Sequence, residues 1–214
     1  MGLYLRRKLD NGAELAVWKI TESEEDLREI CAPVPNDELE ELMILRNESR
    51  RKEKLAVRAL INELYPEKLY LGHHDNGRPY LQNCLTEISI SHCDDYAVVL
   101  VHPEESVGID IERLDRDFTA VEKKALSEDE IEDLSDDSDD HKLQLAIYWC
   151  AKEAIYKRMS KNGVDFAEQI ELEKFNPHDE GTLEATFIDK DGEEENFKLN
   201  YYIFDDHVMV WLVG

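Results

Sequence analysis

The sequence predicts an α+β fold made of two α+β halves of similar plan, residues 1–105 and 106–214, and three observations carry that prediction. Helical periodicity over residues 21–65 is followed by short alternating runs as far as residue 102. A strand at 107–113 then opens a second series, in which helical segments between 118 and 159 precede four further alternating runs. A length of 214 residues is enough for one large domain or two small ones with a core that needs no covalent staples.

The elements follow in order. Residues 13–20 alternate as a first strand after an Asn11-Gly12 turn. Thr21, with Glu24 three residues on, starts a helix that Pro33 and Pro35 stop. Asn36 caps a second helix carrying Leu39, Leu42 and Met43. A third runs from about Ser49 to Tyr65, buries Leu55, Ala56, Ala59, Leu60 and Leu64, and ends at Pro66. Residues 69–71 form a short strand, and residues 87–92 and 96–102 form a hairpin around Cys93-Asp94-Asp95. Beyond residue 113, segment 118–126 is helical, Ser127 caps a short helix, and residues 141–159 form a long helix with Leu143, Ala146, Ile147 and Cys150 inward, ended by Asn162-Gly163. Strands at 170–175, 182–188, 196–204 and 208–213 complete the chain.

Fifty acidic residues against twenty-five basic ones give a net charge of −25. Nucleic acid and anionic membranes are disfavoured partners for such a surface. From Glu128 to Asp140 nine of thirteen residues are acidic, a run expected to be solvated and without chemistry. Basic residues gather only between Arg46 and Arg58, where six outnumber two acids. Four scattered cysteines without metal-ligand spacing are expected to be reduced thiols of a cytoplasmic protein. Neither a signal peptide nor an apolar run of membrane-spanning length is readable.

Two stretches carry chemistry. In Val107-Gly108-Ile109-Asp110-Ile111-Glu112-Arg113 a strand places Asp110 and Glu112 on one face. In Trp149-Cys150-Ala151-Lys152-Glu153-Ala154-Ile155-Tyr156-Lys157 a helix places Trp149, Glu153 and Lys157 on successive turns. Laid against each other, they bring together three carboxylates ringed by lysines. Hard oxygen ligands of this kind suit Mg²⁺, which also takes substrate phosphates. In a chain this acidic, a D-x-E pair taken alone is more often a solvated face, and a Lys-Glu-x-x-x-Lys helix is usually a set of surface ion pairs.

These two blocks, some forty residues apart, resemble the signature pair of the phosphopantetheinyl transferases, particularly their larger, monomeric surfactin-type class. Asn76-Gly77-Arg78-Pro79-Tyr80-Leu81, Ile88-Ser89-Ile90-Ser91-His92 and, more weakly, residues 50–58 resemble further blocks of the family in the same order. The resemblance implies two halves related by pseudo-twofold symmetry with coenzyme A between them. It implies transfer of the phosphopantetheine arm of coenzyme A to a serine of an apo-carrier protein, with release of 3′,5′-adenosine bisphosphate. It assigns Mg²⁺ to Asp110, Glu112 and Glu153, charge beside the transferred group to Lys157 and Lys152, and the role of general base to Glu153, directly or through a metal-bound water. Arg50, Arg51, Arg58, Arg78, Ser91 and His92 would bind the phosphates of coenzyme A. Carrier proteins are usually acidic, so docking is expected on an apolar patch or on the basic face near residues 46–58. Three alternatives stay open: a different Mg²⁺-dependent enzyme acting on a nucleotide pyrophosphate, a catalytically silent member that only binds coenzyme A or a carrier, and a plain acidic interaction domain.

Overall fold

A computed structural model describes residues 2–214, and the chain divides into two compact units, Met1–Val107 and Gly108–Gly214. In the first, strands β1 (Leu3–Lys8) and β2 (Glu14–Lys19) lead to helices α1 (Glu24–Cys31), α2 (Asn36–Ile44) and α3 (Glu48–Leu64). A small ribbon follows, β3 (Leu71–His73) with β4 (Pro79–Leu81), and then β5 (Glu87–His92) and β6 (Tyr96–His102). The main sheet runs β1-β2-β6-β5 with antiparallel neighbours throughout. All seven residues of β6 are buried, as expected of an inner strand, so the alternation read from its sequence does not translate into one wet face. α3 brings all five of its expected inward residues into the core, against Leu27 and Cys31 of α1 and Trp18 and Val99 of the sheet.

Local signals shift two helix starts. Ser23, not Thr21, caps α1, because Ser23 and Asp26 form the reciprocal capping box. Pro35 precedes α2 at the cap position, so Asn36 is its first residue rather than its cap. Strand β1 has no counterpart in the sequence reading: Arg6, Arg7 and Lys8 hide the period-two signal, and only pairing to β2 defines it.

The second unit begins on β7 (Val107–Arg113) and continues through α4 (Thr119–Lys124), α5 (Glu128–Glu132), α6 (Ser138–Met159) and α7 (Phe166–Gln169). Strands β8 (Ile170–Leu172), β9 (Glu180–Ile188), β10 (Glu194–Phe204) and β11 (His207–Val213) complete it. Its sheet order is β7-β11-β10-β9-β8, so β7 is an edge strand. α6 starts earlier than expected because Asp137, inside the acidic run, accepts hydrogen bonds from the amides of Asp139 and Asp140. It ends at Ser160, whose left-handed conformation (φ 53°) closes the last turn before Asn162-Gly163 is reached. Among the described residues, no helix is long and apolar enough to cross a membrane.

Strand and helix meet most closely at Gly108. A Cβ on that residue would stand 1.9 Å from the carbonyl oxygen of Ala154 and 2.9 Å from the Leu212 side chain. Only a residue without a side chain lets β7 lie directly against α6. Gly108→Ala must push the two elements apart, and should lower stability by about 1–3 kcal/mol. A urea titration checks this; an unchanged midpoint would show that the approach is not constrained there.

Candidate functional site

The close approach at Gly108 sets the register of strand on helix. On β7, Ile109 and Ile111 are wholly buried, while Asp110 (5 % exposed) and Glu112 alternate with them. On α6, one turn apart, stand Trp149, Glu153 and Lys157. The Nζ of Lys157 donates to Asp110 Oδ1 at 2.7 Å and to the carbonyl oxygen of Ile109 at 3.1 Å. Trp149 Nε1 donates to Glu112 Oε1 at 3.3 Å, and the Arg116 guanidinium, lying 5.4 Å from the ring centroids of Trp149 and Phe118, pairs with the same oxygen.

Electrostatics bind the third carboxylate to the other two. Burial is the main cause pushing the Glu153 carboxyl up to about 7, followed by the charge of Asp110, with Glu112 adding to it; Lys157 and Arg116 offset part of the rise. Glu112 is also raised, by burial first and by Asp110 next. Asp110, Glu112 and Glu153 are therefore crowded into one electrostatic neighbourhood. Among the described residues no three His, Cys, Asp or Glu side chains stand ready as a metal cluster. Lys157 and Arg116 hold oxygens of Asp110 and Glu112 instead. The donor set still fits a hard divalent cation: three half-buried or buried carboxylates, two of them raised by burial and then by the charge of Asp110, gain most from one.

Lys152 departs from expectation. It is fully buried, and its Nζ donates to Glu130 Oε2 (2.6 Å) and to the carbonyl oxygens of Ile170 (2.6 Å) and Phe166 (2.9 Å). All three ammonium protons are used, so Lys152 has none for a phosphate. Its partner Glu130, 2 % exposed, also accepts from the amides of Leu172 (2.9 Å) and Ser127 (2.8 Å). The acidic run 128–140 thus contains one residue that is not solvated, against the expectation for the whole block. The pair ties α5, α6 and the start of β8 together one residue before Glu153. Cys150 is also fully buried, and burial drives its thiol well above the ordinary range, which leaves it a packing residue.

In the N-terminal unit the expected phosphate ligands separate into two kinds. Arg58 is 3 % exposed, holds Glu38 through two nitrogens and donates to the carbonyl oxygen of Leu69 at 2.7 Å. That is a framework role and corrects the expected one, although the residue also borders a cleft of about 350 Å³ with Pro33, Asn62 and Tyr70. Arg51 likewise spans Glu24 Oε2 and the carbonyl oxygen of Leu45, both at 2.8 Å. Arg78 pairs with Glu87, and Ser91 is buried. Arg50 and His92 keep exposed heads, and both contact Glu53, a buried acid the sequence reading did not single out. Its place at i+3 from Arg50 was the available signal.

A protein-family comparison bears on the C-terminal unit. The model of the 4′-phosphopantetheinyl transferase superfamily matches residues 106–210. The match supports that superfamily, whose members are transferases, and the matched segment contains Asp110, Glu112, Lys152, Glu153 and Lys157. A comparison with curated proteins finds no match.

Two outcomes follow from this geometry. Because the folded-state value of Glu153 lies above the unfolded one, its contribution is fully present below pH 4.5 and is lost as pH rises through about 7. Glu153→Gln should escape that loss and gain of order 2–3 kcal/mol on wild type between pH 4.5 and pH 8. Urea midpoints at the two pH values check it, and parallel behaviour of both proteins would contradict the crowding. Glu130→Gln should cost about 3–5 kcal/mol by stranding Lys152, whereas the double substitution Glu130→Leu/Lys152→Met should recover much of it; equal losses would show the ion pair is not the reason.

Proposed function

We propose that this chain is a surfactin-type phosphopantetheinyl transferase. It transfers the phosphopantetheine arm of coenzyme A to a serine of an apo-carrier protein, giving the holo-carrier and 3′,5′-adenosine bisphosphate with Mg²⁺ as cofactor. The observation that carries the reading is the convergence of Asp110, Glu112, Glu153 and Lys157 across the Gly108 contact, inside the segment that matches the superfamily.

Attack by a serine hydroxyl on a pyrophosphate needs charge neutralisation, a stabilised leaving group and removal of the hydroxyl proton. Asp110, Glu112 and Glu153 are the residues that would hold Mg²⁺. When bound, the ion supplies Lewis-acid stabilisation of pyrophosphate charge. Glu153 would accept the serine proton; burial and Asp110 push its carboxyl up to about 7 in the metal-free chain, and a bound divalent cation would lower it and keep the carboxylate ionised. Lys157, held by Asp110 and the Ile109 carbonyl, keeps a cation at the site with one ammonium proton left for a ligand oxygen. Arg50 and His92 offer donors to the phosphates of coenzyme A. The enzyme is read as a cytoplasmic monomer.

The test is mass spectrometry of apo-carrier proteins incubated with coenzyme A, Mg²⁺ and the full chain. The expected result is the phosphopantetheine mass increment, lost on chelation of Mg²⁺ and lost in Asp110→Ala and Glu153→Ala variants whose circular dichroism matches wild type. Near-normal labelling by either variant would overturn the assigned roles. Binding of coenzyme A without labelling of any carrier would favour the catalytically silent alternative.

A further inference from the structure

One buried charge in the N-terminal unit lies outside the roles assigned above. Glu53, on α3, is 1 % exposed, in a place where an apolar residue would be buried at no electrostatic cost. Its Oε2 meets two groups at once: Arg50 Nη1 at 2.8 Å, and His92 Nδ1, at the end of β5, at 2.9 Å. The side chains of those partners are 57 % and 32 % exposed, so each is anchored at its inner end and open at its outer one. Arg50 Nη1 also stands 3.5 Å from His92 Nδ1, and among the described residues no protein group takes the Nε or Nη2 protons of Arg50 or the Nε2 of His92.

We propose that Glu53 is the positioning residue of an anion-binding head formed by Arg50 and His92. The proposal rests on the coenzyme A reading, for which the ligand is one of that molecule's phosphates. By accepting at Nδ1, the carboxylate fixes which ring nitrogen carries a proton and turns Nε2 outward. By accepting from Nη1, it holds the guanidinium in one rotamer, so less conformational entropy is lost when an anion arrives. Burial alone would raise the Glu53 carboxyl, but the bonds from His92 and Arg50 outweigh it and lower the value, which keeps the anchor ionised. One buried negative charge beneath two outward cations leaves the head net positive once the imidazole is protonated. That suits a phosphate group on an otherwise acidic protein.

The experiment is calorimetric titration of the full chain with coenzyme A and with 3′,5′-adenosine bisphosphate, together with the ¹⁵N ring spectrum of His92. In wild type Nδ1 should carry a proton bonded to Glu53, and Glu53→Gln should change that signal and weaken binding by about tenfold, the effect of one charge-assisted hydrogen bond. In an Arg50→Ala/His92→Ala background the same substitution should weaken binding by less than about twofold, because its effect passes through those two residues. Equal weakening in both backgrounds, or unchanged binding in the single variant, would overturn the proposal. If Glu53→Gln is insoluble, the wild-type spectrum decides: a ring protonated at Nε2 alone overturns it. Wild-type protein that binds neither ligand defeats the coenzyme A reading itself, an outcome distinguishable from the others.

Discussion

The backbone of β7 rests on the backbone of α6 at Gly108 and Ala154, and the placement of the acidic side chains of the C-terminal unit depends on that contact. A strand and a helix ordinarily meet through side chains, at a separation that leaves room for a layer of apolar groups between them. Here one position has no side chain, so the axis of the helix is drawn in. The residues that flank the contact, Asp110 and Glu112 on one element and Glu153 and Lys157 on the other, then lie within electrostatic reach of one another. Burial and mutual repulsion raise Glu112 and Glu153, while Lys157 and Arg116 partly compensate the site.

Around this contact the sequence separates residues that frame the site from residues that face it. Lys152 and Glu153 are adjacent on α6, yet a helical step of about 100° sends one into the interior and the other toward Asp110. Lys152 finds Glu130 and two carbonyl oxygens, a closed set with no position for a ligand. Arg50 and Arg58 diverge in the same manner on α3: the first is anchored with its head outward, the second consumed by Glu38 and Leu69. In each helix one charged residue is framework, Lys152 in α6 and Arg58 in α3.

Much of this was legible without coordinates wherever a local period sufficed. The pairing of Asp110 with Glu112, the spacing of Glu153 and Lys157, the bounds of β5 and β6, and the buried face of α3 all follow from alternation or helical repeat. The parts that were not legible depend on residues distant in the chain. Glu130 reads as one acid among nine because composition cannot show that Lys152 lies above it. Gly108 reads as the opening of a strand because only α6 gives its missing side chain a purpose. β1 escapes because three consecutive basic residues mask its alternation, and Thr21 competes with Ser23 for a cap that the Asp26 side chain settles.

The closed cage around Lys152 changes how degenerate relatives ought to be sorted. A lysine kept beside a conspicuous glutamate invites the inference that both are kept for the reaction, so a homologue lacking it would be set aside as inert. Here that lysine answers to an acid twenty-two residues upstream. A chain that exchanged both for a well-matched apolar couple would keep its architecture and the acids at 110, 112 and 153, and competence would have to be judged from Asp110, Glu112, Glu153 and Lys157 instead.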